Sequence, residues 1–141
     1  MTMKAGKYYV GDLCYVLHEA WEDFCDVTIE GNKCLEGEFN LKDGRRFATY
    51  STKWGDGTYR DQYKKEYDVD AGLIGCILLD DIDLTVEGNF ITGGQIVDFP
   101  SDFFTRGGRS DMGQDWDGVI QFGSLYIETN PEYEEDDYYA W

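Results

Sequence analysis

Asp56, Asp61, Asp70, Asp80, Asp81 and Asp83 fall within the stretch Trp54 to Asp83, and Asp12 lies upstream. Two carboxylates held close together in different environments can act as general acid and base, as in a glycosidase. Asp12, Asp56, Asp61 and Asp70 are the candidates for such a pair. Against this, the chain holds 29 acids in 141 residues, so chance pairs are common. Asp56 lies between two glycines and Asp12 follows one, positions where the Asp side chain serves a turn. Trp54 and Tyr59 stand beside these acids, with Tyr50 and Trp21 as further aromatic walls. Trp54, Asp56, Tyr59 and Asp70 therefore form a candidate ligand-binding set, aromatic walls with one or two polar groups.

A Ser-His or Cys-His nucleophilic system would have to use the single histidine, His18, with Cys14 four residues before it. The series Cys14, His18, Cys25, Cys34 lacks the close Cys pairs that zinc sites favour, and buried free thiols are the plainer reading. Asp80, Asp81 and Asp83, or Asp111, Asp115 and Asp117, could offer oxygen ligands to Ca²⁺ or Mg²⁺. Neither run follows the spacing of a calcium loop, so no metal or cofactor is expected. Phosphate-cradling glycine motifs are absent, and Arg106 and Arg109 form the only locally basic loop.

Charge is the strongest global signal. Twelve Lys and Arg stand against 29 Asp and Glu, a formal net charge of −17. Five of those acids lie in residues 131–141, and the rest of the chain still carries 24 acids against all 12 bases. Such a field repels nucleic acid and anionic membranes and favours basic protein surfaces. The final segment PEYEEDDYYAW mixes acids with aromatics. One reading is a solubilising end. The sharper one is a docking peptide, with Glu134, Glu135, Asp136 and Asp137 attracting a basic groove and Tyr133, Tyr138, Tyr139 and Trp141 anchoring in it. MTMKAGKYYV shows no apolar signal core, and no window has the roughly 18 apolar residues of a membrane span. A cytoplasmic protein with reduced cysteines is expected.

The elements that must position these groups are mostly strands. Seventeen glycines, two prolines and 23 aromatic residues suit short strands joined by tight turns. Lys7 to Leu17 reads as a strand interrupted at Gly11-Asp12. Trp21, Phe24, Cys25 and Thr28 recur at helical spacing and predict one short helix over 18–27. Asp43-Gly44 predicts a type I′ hairpin turn between strands around Phe39 and Phe47. Further strands are expected at 58–63, 67–79, 95–99, 119–122 and 125–127, with a hairpin of Leu84-Val86 and Phe90-Ile91 about Gly88. Ala71 to Leu79 is apolar on both faces and is the expected central strand. Residues 100–118 read as a long loop. The expectation is one mainly β domain over residues 1–130, β-rich α+β in detail. It would be an antiparallel, partly open barrel or two-layer roll with one short helix, followed by the acidic aromatic tail 131–141.

KYYVGDLCYVL, the helix Trp and Cys, WGDGTY and YDVDAGLIGCI occur in an order that resembles a group of small phage and bacterial proteins, mostly uncharacterised. The likeness spans roughly residues 6–99 and implies a phage origin, with no activity or catalytic residue to carry over. The first functional expectation is a non-enzymatic acidic binding protein that engages a basic host protein, as a nucleic-acid mimic or anti-defence inhibitor. It would bind no nucleic acid directly and no membrane, and a homo-oligomer is compatible with it. The alternatives are a β-domain that binds or hydrolyses a nucleotide or sugar, and a structural or virion-associated module.

Overall fold

A computed structural model describes residues 2–108 and 117–129. Twelve strands occur among the described residues: β1 Gly6–Gly11, β2 Ile29–Glu30, β3 Lys33–Cys34, β4 Gly37–Asn40, β5 Arg46–Ser51, β6 Gly57–Asp61, β7 Glu66–Val69, β8 Leu73–Leu78, β9 Gln95–Phe99, β10 Thr105–Arg106, β11 Val119–Phe122 and β12 Leu125–Glu128. Among the described residues the one α-helix, α1, spans Trp21–Thr28, and short 3-10 turns cover Leu13–Tyr15 and Leu79–Asp81. No helix among the described residues is long and apolar enough to cross a membrane.

Ten of the strands make two antiparallel five-stranded sheets, ordered β4-β5-β8-β1-β9 and β10-β11-β12-β6-β7; β2 and β3 form a separate hairpin. The mainly β, two-layer expectation holds, and the sheets do not close into a barrel. Alternation along each strand explains the layering, because successive side chains point to opposite faces. On β1, Tyr8 and Val10 point between the sheets while Tyr9 points outward; on β8, Ile74 and Cys76 point between the sheets while Ile77 points outward. The inter-sheet core gathers these with Tyr50, Tyr59, Tyr67, Ile120, Phe122 and Ile127. A second core forms where the outer face of the first sheet is covered by α1 and the 13–17 turn: Tyr9, Leu13, Leu17, Phe24, Phe47 and Ile77. Phe24 bridges two rings there, with centroids 4.5 Å from Trp21 and 4.9 Å from Phe47.

β8 is thus the central strand that its sequence promises, third of five and covered on both faces. Gly75 within it lets the chains approach: an added Cβ would lie 2.2 Å from the Ala48 carbonyl oxygen and 2.9 Å from Leu13.

Three local expectations are corrected. The Asp43-Gly44 hairpin is present, but only Gly44 takes positive φ (97°), so the connection is a three-residue loop rather than a type I′ turn. Leu84 to Ile91 forms no hairpin; it is an irregular loop whose Phe90 N–H donates to the Tyr15 carbonyl. The 100–118 stretch is not all loop, since Phe103 bridges Met3 and β10 joins the second sheet.

Candidate functional site

The first sequence-predicted group sits at one end of the sandwich. β1 ends at Gly11, and Asp12 caps the 3-10 turn that follows. Its carboxylate is fully buried and accepts three backbone N–H groups: Cys14 at 3.0 Å, Asp70 at 2.8 Å and Ala71 at 2.6 Å. Burial without solvation is offset here by three charge-assisted hydrogen bonds. Asp12 therefore ties the 12–15 turn to the β7–β8 connection. Asp70 is exposed, and its Oδ2 accepts from Tyr15 Oη at 2.6 Å. Burial, then this carboxylate, pushes the Tyr15 phenol up. Burial, then Asp12, likewise pushes the Cys14 thiol up, so it is held as the poorly nucleophilic neutral form.

The predicted ligand set is divided between a buried and an exposed environment. Tyr59 is buried in the inter-sheet core, its hydroxyl donating to the Gly55 carbonyl at 2.8 Å. Tyr50 belongs to the same core, and Trp21 is stacked on Phe24. Trp54 and Asp56 are exposed on the β5–β6 loop, with Lys53 Nζ 5.6 Å from the Trp54 ring. Thr52 N–H donates to the Gly72 carbonyl, so this loop and the Asp70–Gly72 connection share an end of the fold. Asp61 is a turn residue: Oδ1 accepts from the N–H of Tyr63 and Lys65, and Oδ2 from Tyr67 Oη at 2.6 Å. Among the described residues no group of three His, Cys, Asp or Glu side chains is placed to hold a metal. Tyr133, Glu134, Glu135, Asp136, Asp137, Tyr138, Tyr139 and Trp141 lie outside the described residues, as do Asp111 and Asp115.

What the sequence reading missed lies on the helix side of the first sheet. There, Asn89 is buried and organises the 83–90 loop. Its Oδ1 accepts from the His18 N–H at 2.6 Å, and its Nδ2 donates to the Asp83 carbonyl at 3.0 Å and the Glu19 carboxylate at 3.2 Å. Gly88 is required beside it: φ is 102°, and a Cβ would meet the His18 ring at 2.7 Å. The loop so fixed displays Leu84 (56% exposed), Phe90 (63%) and Ile91 (37%) to solvent. No protein-family model, curated protein or solved structure matches this chain.

Acids lie on this segment and in ion pairs beside it. Arg45 is paired with Asp43 at 2.9 Å and Glu19 at 3.6 Å, and donates to the Asp81 carbonyl at 3.1 Å. Arg45 holds the Asp43 carboxyl below the usual range, whereas burial raises that of Asp81 against the pull of Arg45. Lys42 spans Asp26 at 3.0 Å and Asp23 at 3.7 Å on α1. Asp80, Asp83 and Glu87 lie on the 79–90 segment itself. Apolar side chains set among acids are suited to a partner that is apolar at its centre and basic around it. The signal was present in the sequence, as Leu84, Val86, Phe90 and Ile91 on either side of Glu87-Gly88-Asn89, but a pattern of that kind reads equally as a hairpin.

Proposed function

We propose that this chain is a non-enzymatic acidic binding protein, encoded by a phage and acting in the host cytoplasm, that engages and inhibits a basic host protein. The observation that carries the reading is the 84–91 loop, where three exposed apolar side chains ride on a segment held by the buried Asn89 network, which includes Glu19, and share that stretch of chain with the exposed Asp80, Asp83 and Glu87. A display of this kind is preorganised, so little ordering entropy opposes binding. Aromatic and aliphatic anchors give affinity, while the acids steer a basic partner and reject nucleic acid. The charge density supports competition for a nucleic-acid-binding groove, and the apolar anchors add selectivity for a protein that owns one.

The test is capture from host lysate at about 50 mM and 300 mM salt, where the screening length falls from roughly 14 to 6 Å. Wild type and a Phe90→Ser, Leu84→Ser variant are compared after circular dichroism shows the same fold. The expected outcome is a partner captured by wild type, weakened at the higher salt and lost by the variant. Capture that is insensitive to both salt and variant sinks the proposal.

A further inference from the structure

The outward face of the second sheet carries a separate hollow, far in sequence from the 84–91 loop. Its volume is about 300 Å³, and it is lined by Asp61, Gln62, Val119, Tyr126 and Glu128. On β12 the side chains of Leu125 and Ile127 enter the core, so Tyr126 and Glu128 face outward together; Val119 stands opposite Glu128 in register. An aromatic ring, an apolar wall and a carboxylate therefore share one face within a few residues. Tyr126 is 46% exposed.

The chemistry left for a ligand follows from what the other lining groups already do. The Gln62 amide is engaged at both ends: Nε2 donates to the Ser124 carbonyl at 2.6 Å and Oε1 accepts from the Tyr126 N–H at 2.8 Å. In effect its side chain extends the β6–β12 ladder past its last backbone pair, Ile127 with Asp61. The Asp61 carboxylate is committed to Tyr63, Lys65 and Tyr67. A polyol, which needs many polar contacts, is poorly served. An anion meets Glu128 and a chain of net charge −17. A cation is well served, because the face of an aromatic ring attracts positive charge and a carboxylate offers about four acceptor positions, so Glu128 can take a further donor while bonded elsewhere. Arg60, the register partner of Glu128, is not a lining residue, and its guanidinium bonds Glu66 at 3.0 Å.

We propose that this hollow binds a cationic group on an alkyl stem, a guanidinium or an ammonium. Its walls are rigid before binding, through Gln62 and through Thr129, which anchors the end of β12 by its N–H to the Gly118 carbonyl at 2.9 Å. Such a group arrives either as a free diamine or as an Arg or Lys side chain of another protein.

The experiment is an amide chemical-shift titration of the full chain at low salt, with N-acetyl-arginine amide, with putrescine, with a short peptide centred on arginine and with glucose as neutral comparator. Saturable shifts of Val119, Tyr126 and Glu128 with the cations, weakened at least tenfold in Glu128→Gln and in Tyr126→Leu, support the site. Tighter binding of the peptide than of putrescine assigns the source to a protein; the reverse assigns it to a small amine. Glu128→Gln is nearly isosteric and outward-facing, so it keeps the test open if Tyr126→Leu unfolds. Cation shifts that never saturate, that persist undiminished in Glu128→Gln, or that glucose reproduces, overturn the proposal.

Discussion

At the scale of single residues, Asp12 shows how a functional-looking group becomes a structural one. Its position after a glycine marked it as a turn residue, and it does cap the turn at Leu13–Tyr15. Nothing local announced that two of its three partners lie 58 and 59 residues away, at Asp70 and Ala71. Removing the carboxylate strands three backbone donors, each costing about 1–3 kcal/mol when unmet. Asp12→Ala is expected to lower stability by roughly 3 kcal/mol or more, read as a reduced urea midpoint, and Asp12→Asn to recover only part of it. An unchanged midpoint in Asp12→Ala would mean that water replaces the side chain. Two of the aromatic candidates, Tyr50 and Tyr59, are buried in the inter-sheet core. Tyr50 and Tyr59 have types that suit a pocket wall equally well as a core, and only the pleat decides which face they take.

Among the elements, β8 was legible because its apolar residues leave no polar face, a pattern that only a doubly covered strand satisfies. The 84–91 segment was not, because strand pairing depends on partners elsewhere in the chain, and here Tyr15 and Asn89 take the hydrogen bonds a hairpin would use. The helix was placed correctly by its spacing, yet its boundaries moved to Trp21–Thr28. Gly75 gives this level its test. Gly75→Ala would drive a methyl into the Ala48 carbonyl at 2.2 Å, and backbone cannot yield as a flexible side chain does. A loss above about 3 kcal/mol, enough to prevent accumulation of folded protein, is expected from overpacking of this severity. A thermal midpoint within a degree or two of wild type would show that β5 and β8 can separate without cost.

For the whole molecule, the sequence left a partly open barrel and a two-layer roll as equals. The choice is made by which strands meet at the seams, a non-local fact. Many of the contacts across the layers are phenolic, and this sets an alkaline limit. Burial pushes Tyr8 up to about 12, and pushes Tyr9 and Tyr67 up further, Tyr67 with help from Asp61. In the unfolded chain each phenol ionises near pH 10, so the unfolded state sheds protons that the fold retains. Stability is therefore complete below about pH 10 and falls as pH rises towards the folded values, by about 1.4 kcal/mol per unit for each such group. Absorbance of phenolate at 295 nm and far-ultraviolet circular dichroism should then change together in one cooperative step above pH 10. Gradual titration of every tyrosine with the fold intact would contradict this.

At the β4–β10 seam, Glu38 points inward from a terminal strand, held by Arg46 at 2.5 Å and by the Thr105 hydroxyl at 2.9 Å, while Tyr50 and Thr105 join across the sheets at 2.6 Å. A charge aimed inward from an outermost strand is a known deterrent to strand addition. A neighbouring molecule that tried to extend this sheet along β4 would have to approach a desolvated ion pair, and each copy would bring a charge of −17 with it. Fibrillar growth through that border is thereby disfavoured.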